Sequence, residues 1–146
     1  MGQHIEFVRA FFDRVWNKGD AKGIEDAMPE EVVVSGLGEQ SPMNRAGFDQ
    51  FHTALNALLE GITVTIDHGL EDGEWMYGMC SVKGTGRACG TPVSFTGTVA
   101  GRIVDGQIVE GYNHFDFLGL YQQLGLLPAQ TFETCLSGQS VGAAPA

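Results

Sequence analysis

The chain is short of positive charge. Lysine and arginine together number 8 against 18 aspartates and glutamates, so the formal net charge is 8 − 18 = −10. Phosphate-rich nucleic acid and anionic membrane surfaces both demand a basic face. A pI near 4.6 argues against either as a partner. Cysteine is scarce as well. Cys80, Cys89 and Cys135 make an odd set with no Cys-x-x-Cys pair, which speaks against a disulfide framework or zinc knuckle and for a reducing compartment. No apolar run approaches the roughly 20 residues of a membrane span. Met1 to Arg9 lacks the basic-then-apolar pattern of a secretory leader, so a cytoplasmic, soluble protein is expected. There is no His-Glu-x-x-His and no His/Cys cluster at ligand spacing, so neither a metal nor another cofactor is expected. Gly84, Gly86 and Gly90 do not form Gly-x-Gly-x-x-Gly and no helix follows them, which excludes a dinucleotide loop.

What is present is ample hydrophobic material. Of 146 residues, 43% are hydrophobic and 10% aromatic, enough for one domain with its own core. That domain is assigned to residues 1–136. Residues 137–146 are small and uncharged and read as a loose tail. Glycine, at 21 residues, is about twice its average usage.

The first third reads as helical. Ile5, Val8, Phe12 and Val15 recur at helical spacing, with Phe11 and Trp16 widening the stripe. Asn17-Lys18-Gly19 stops this helix, Asp20 caps a short second one, and Pro29 ends it. Glu31 to Ser35 reads as a strand, Gly36 to Met43 as a loop, and a third helix runs from about Arg45 to Leu59. The remainder is mostly strand: Ile62 to His68, Trp75 to Lys83, Pro92 to Val104 and Gln107 to Asp116, the last pair joined by an Asp105-Gly106 hairpin turn. A short helix, Leu118 to Leu124, follows. Helices first and antiparallel strands later make an α+β fold, with the helices covering one face of a curved sheet. Gly78, Gly84, Gly97 and Gly101 inside strands are expected to mark bends that wrap the sheet into a cone around a pocket.

The chemistry concentrates in Ile108 to Pro128. Between Gly111 and Phe132, Asp116 is the only formally charged residue, set between Phe115 and Phe117. Two readings stand. Burial among apolar groups would raise its pKa toward a useful general acid/base value; alternatively, Asp116 caps the following helix. His114 lies two residues earlier, so a regular strand puts it on the same face as Asp116, Tyr112 and Glu110. It could share acid/base work or simply face solvent. His68 shares strand parity with Ile62, Val64 and Ile66, which places it at the mouth or floor of a cone. His52 lies beside Phe48 and Phe51 on the third helix. Arg87 could bind a substrate oxyanion or pair with a surface acid. Phe12 and Trp16 are core residues that can also line a pocket. Cys80 and Cys89 read as small buried hydrophobes, and Glu71, Asp72 and Glu74 as a solvated turn.

Several runs also resemble a known family. Ile108-Val109-Glu110-Gly111-Tyr112-Asn113-His114-Phe115-Asp116, followed by Tyr121-Gln122-Gln123-Leu124-Gly125, is similar to the carboxy-terminal signature of SnoaL-like polyketide cyclases, of the nuclear-transport-factor-2-like superfamily. Val15-Trp16-Asn17-Lys18-Gly19-Asp20 matches the end of that family's first helix, and Gly47-Phe48-Asp49-Gln50-Phe51 falls in the expected order. The resemblance implies a cone-shaped α+β barrel, commonly a homodimer, whose open end admits a small hydrophobic carbonyl-containing molecule. It implies that the aspartate matching Asp116 is the acid/base of an intramolecular aldol ring closure needing no cofactor, with His114, Tyr112 and Arg87 around the enolate oxygen. The chain departs from the pattern in places. The family often has Trp at Tyr112, Asp at Asn113 and Tyr at Phe12, and its Gly-Thr-His-x-Gly stretch becomes Gly84-Thr85-Gly86-Arg87-Ala88-Cys89-Gly90. These departures open a second reading, a binding or dimerising module without chemistry. A third is an epoxide hydrolase or dehydratase built on Asp116, Glu110 and Arg87.

Overall fold

A computed structural model describes residues 2–38 and 41–142. Residues 39, 40 and 143–146, and with them part of the expected loop and the end of the expected tail, lie outside the described residues. Helix α1 (Gln3–Phe12) buries Ile5, Val8 and Phe11. It then widens into a π-helical turn, Asp13–Asn17, in which the Lys18 N–H donates to the Asp13 carbonyl at 2.9 Å. The extra residue in this turn sends the adjacent pair Val15 and Trp16 both into the core. Helix α2 (Lys22–Ala27) starts where Asp20 accepts the Lys22 N–H at 3.1 Å. Strand β1 is short (Val33–Ser35). Helix α3 (Arg45–Leu58) is capped by Asn44, whose Oδ1 accepts from the Gly47 N–H at 3.0 Å.

Four long strands follow: β2 (Leu59–Asp72), β3 (Trp75–Gly86), β4 (Pro92–Val104) and β5 (Gln107–Phe115). Helix α4 (Phe117–Gln123) and a helix that the sequence did not signal, α5 (Thr131–Leu136), end the described fold. The five-stranded sheet has the order β1-β5-β4-β3-β2. Its contacts are antiparallel except one: β1 runs parallel to β5. The inner face packs Ile62, Val64, Met76, Val82, Phe95 and Val99 against Val8, Phe11, Trp16 and Phe48 of the helices. Cys80 is in this core, where burial pushes its thiol up to about 11. Cys89 is exposed in the β3–β4 hairpin, so the expectation that both are buried holds for Cys80 alone.

Of the strand glycines expected to mark bends, Gly84 faces one and Gly78, Gly97 and Gly101 do not. The β3–β4 ladder runs unbroken from Trp75 to Thr85, through Gly78 and Gly84. The irregularities fall between Glu60 and Thr63, between Ile66 and His68, and between Arg102 and Ile103, opposite Val109. The first falls at Gly61, at φ 63°, a conformation few other residues adopt, and lies opposite Gly84; the other two coincide with no glycine. Gly97 has a different use. A Cβ there would sit 2.3 Å from the Phe115 ring, so its bareness lets that ring lie flat on β4.

Both sheet edges are covered, which removes the usual template for strand addition. On β2, Asn17 accepts from the Val64 N–H at 2.7 Å and Arg9 donates to the Ile66 carbonyl at 3.1 Å. On β1, Val34 and Met43 exchange backbone hydrogen bonds. Glu71 does more than solvate a turn. Its carboxylate accepts from the His4 and Ile5 N–H groups at 3.3 and 3.2 Å, capping α1 from across the fold, while Glu74 pairs with Arg102 at 3.1 Å. Among the described residues no helix is long and apolar enough to cross a membrane.

A carboxylate at a helix amino terminus both satisfies free N–H groups and meets the positive end of the dipole. Glu71→Ala is therefore expected to lower stability by about 1 kcal/mol, read as a lower urea midpoint at constant slope. An unchanged midpoint would remove Glu71 from this role.

Candidate functional site

The alternation of β5 builds the site. Phe115, Asn113 and Gly111 point to the inner face; the irregularity at Val109 then switches parity, so that Ile108 points inward too. Across from them stand Phe11, Phe12, Trp16 and Phe48 from the first and third helices, and Phe117 closes in from α4. These walls enclose about 90 Å³ of free space. Phe12, Phe115 and Phe117 are half-buried, so the cavity opens on their side. The Trp16 ring meets Phe48 and Phe51 edge-on, with centroids 6.3 and 6.1 Å away. Edge-to-face contacts of this kind hold aromatic walls in defined positions.

Among the described residues lining this cavity none carries an ionisable side chain; besides the indole N–H of Trp16, the polar group is the amide of Asn113. Its Nδ2 donates to the Ser35 carbonyl at 3.0 Å. A carbonyl can only accept, so that partner fixes which way the amide points.

The structure brings only two of the residues singled out from the sequence into the cavity, Phe12 and Trp16. His52 is buried directly behind Trp16, ring centroids 4.7 Å apart. Its Nε2 lies 2.7 Å from the Val15 carbonyl, so it must carry the proton. His52 thus pins the π-helical turn and touches the cavity only through Trp16. Asp116 is exposed. It leaves the strand as the cap of α4, its Oδ1 accepting from the Gly119 N–H at 2.8 Å. The apolar enclosure expected of an acid/base is not there. Tyr112 and His114 do share a face, as parity required, but it is the outer face of the sheet. His68 lies there too, because the irregularity at Asp67 flips it away from Ile62, Val64 and Ile66. Arg87 donates to the Asn56 carbonyl at 2.6 Å and lies 3.5 Å from Glu60. Glu110 pairs with Arg102 at 3.1 Å and accepts from the Tyr112 hydroxyl at 2.5 Å. The Tyr112 hydroxyl first, then Arg102, holds its carboxyl below the usual range. Asp116, Glu110 and Arg87 therefore serve three separate networks.

Asn113 is the residue that sequence reasoning passed over. Its signal was present: it is two residues from Phe115, on the opposite parity to the residues favoured as candidates. Among the described residues no group of three or more His, Cys, Asp or Glu side chains is arranged to hold a metal ion.

The geometry can be set beside known proteins. The profile of the SnoaL-like polyketide cyclases matches residues 6–124. The chain belongs to that family. Among solved structures, the SnoaL-like chain resembles IdmH from Streptomyces antibioticus, provisionally assigned as a polyketide cyclase. The identity is 21%, with 85% of this chain and 99% of that one covered and a TM-score of 0.75. A Bacillus cereus protein with the same provisional assignment is 25% identical, covering 83% of this chain and 81% of that one, TM-score 0.72. An LEH-like epoxide hydrolase from M. tuberculosis is 16% identical, covering 92% and 96%, TM-score 0.66. Among curated proteins, none matches this chain in sequence. The curved α+β cone with its amino-terminal helices is thus the family fold.

Asparagine caps a helix about as well as aspartate, and alanine does not. Asp116→Ala is expected to cost about 1 kcal/mol of stability and Asp116→Asn close to nothing, measured by denaturant unfolding. Equal losses in the two variants would show that the charge, not the cap, matters at this position.

Proposed function

We propose that this SnoaL-like protein holds a small, neutral, largely apolar compound in its cone, anchored through a carbonyl or hydroxyl oxygen on the Asn113 amide, and moves no proton there. One observation carries the reading: no ionisable side chain is found among the described residues that line the cavity. Aldol ring closure starts when a base removes a proton from carbon. A neutral amide can hold a carbonyl oxygen but cannot take that proton. Apolar walls with few polar groups suit a ligand site. The epoxide-hydrolysis reading has no comparable support, because its acids and arginine are bound elsewhere.

The family match over residues 6–124 favours a second reading. Here Asp116 swings from the α4 terminus to the substrate. Its carboxylate removes a proton from a carbon flanked by carbonyls. The enolate attacks a carbonyl carbon and forms the ring bond, and the protonated Asp116 returns the proton to the new alkoxide. The two readings part on one experiment: the wild-type chain, Asp116→Asn and Asn113→Asp are each incubated with a linear β-polyketo ester, and ring closure is followed by absorbance. Binding alone predicts no rate above buffer in the wild type. Turnover by the wild type that is lost in Asp116→Asn would overturn it in favour of the cyclase.

We also infer that the protein's partner is a second copy of itself, docked on the outer sheet face. Two rows cross that face in register, His68–Met79–Thr98–His114 and Leu70–Tyr77–Ala100–Tyr112. Neither row contains an acid, lysine or arginine, in a chain of net charge −10. Leu70, Tyr77, Met79 and Tyr112 are exposed there, and Trp75 stacks against both Tyr77 and Tyr112 at 6.2 Å. Like-charged copies can approach where charge is absent, and exposed aromatics supply the apolar area. Sedimentation velocity is expected to show a dimer that Tyr77→Asp converts to monomer. A monomeric wild type at tens of micromolar would sink this assignment.

A further inference from the structure

The cavity defines its ligand more narrowly than the family does. We propose that it takes a single six-membered ring bearing one neutral hydroxyl, a phenol or the enol of a cyclic ketone, with the hydroxyl donating to Oδ1 of Asn113. The proposal rests on the binding reading above and names the ligand class of that same cavity.

Three observations fix the class. The first is size. The free space is about 90 Å³, whereas an engineered apolar cavity of about 150 Å³ accepts benzene. The space is smaller than that, so one ring enters only where Phe12 or Phe117 on the open side gives way, and two fused rings demand a larger displacement. The second is charge. No lining residue among those described can neutralise a carboxylate or an ammonium, and burying an unpaired charge is prohibitive. The third is hydrogen-bond polarity. Asn113 spends one Nδ2–H on Ser35. Its Oδ1 has no protein donor among the described residues, so it is free to accept. A ligand that can only accept, such as an ether, leaves that oxygen unmatched in an apolar chamber. A ligand with a hydroxyl satisfies it and can also accept the remaining Nδ2–H. The aromatic walls suit a flat ring, since offset and edge-on contacts add to simple burial.

The test is a titration of the full chain followed by two-dimensional amide NMR, with phenol, toluene, anisole, benzoate and 2-naphthol as probes. Toluene matches phenol in shape without the donor. Phenol is expected to bind about fivefold more tightly than toluene or anisole, the worth of one buried hydrogen bond. Its binding should shift the Asn113 side-chain amide signals, while benzoate and 2-naphthol should leave them in place. In Asn113→Leu the order of phenol and toluene should reverse. If that variant does not fold, the wild-type ratio alone decides. Equal binding of phenol and toluene overturns the hydroxyl assignment, and tighter binding of 2-naphthol than of phenol overturns the single-ring limit. Failure of every probe to bind overturns the binding reading itself, and this inference with it.

Discussion

A pleated strand offers only every second side chain to one face, and in this cone that rule decides what a ligand meets. Three irregularities reset the count. One, at Asp67, turns His68 outward. Another, at Val109, turns Ile108 inward and separates it from Glu110, Tyr112 and His114. The chamber that results is lined by aromatic rings, aliphatic side chains and one amide. Had β5 been shifted by a single residue, Tyr112 and His114 would stand inside and Asn113 and Phe115 outside.

Much of this was legible in the sequence, because helices and long strands announce themselves by period. Strand β4 runs Pro92–Val104 as read, and β5, α3 and the Asp105-Gly106 turn fall within a residue or so of their expected places. What escaped were features that insert one residue without changing composition: the π-helical turn at Asp13–Asn17 and the three sheet irregularities. The parallel pairing of β1 with β5 escaped because it joins distant segments with no local signal. Asp116 is exceptional in its sequence surroundings, which admit both a buried base and a helix cap. Only the geometry separates a carboxylate beside apolar residues in sequence from one enclosed by them in space. His52 shows the same gap. Its position on the buried stripe was plain, but its partner is one of the free carbonyls at the end of the first helix, 37 residues away in sequence.

The distribution of charge gives the acidic composition its meaning. The acids that make contacts do so at the periphery: Glu71 on α1, Glu74 and Glu110 on Arg102, Asp20 and Asp26 on Arg14. Two regions are left neutral, the interior of the cone and the middle of its outer face. A shared fold does not carry a shared reaction with it. In this cone the inward positions of β5 present an amide, Asn113, and no ionisable group among the described lining residues.

The parallel contact between β1 and β5 has a consequence for how the molecule comes into being. The hydrogen bond from Asn113 to Ser35 spans 78 residues of chain, and closing so long a loop carries an entropic cost that only the finished sheet can offset. Strands β2, β3 and β4 are neighbours in sequence and can assemble as a meander while the rest of the polypeptide is still being made. The first and last strands cannot meet until residue 115 has left the ribosome. The chamber, walled by β5 and Phe117, is therefore completed only after the β2–β4 meander is available: a nascent chain has a sheet before it has an inside.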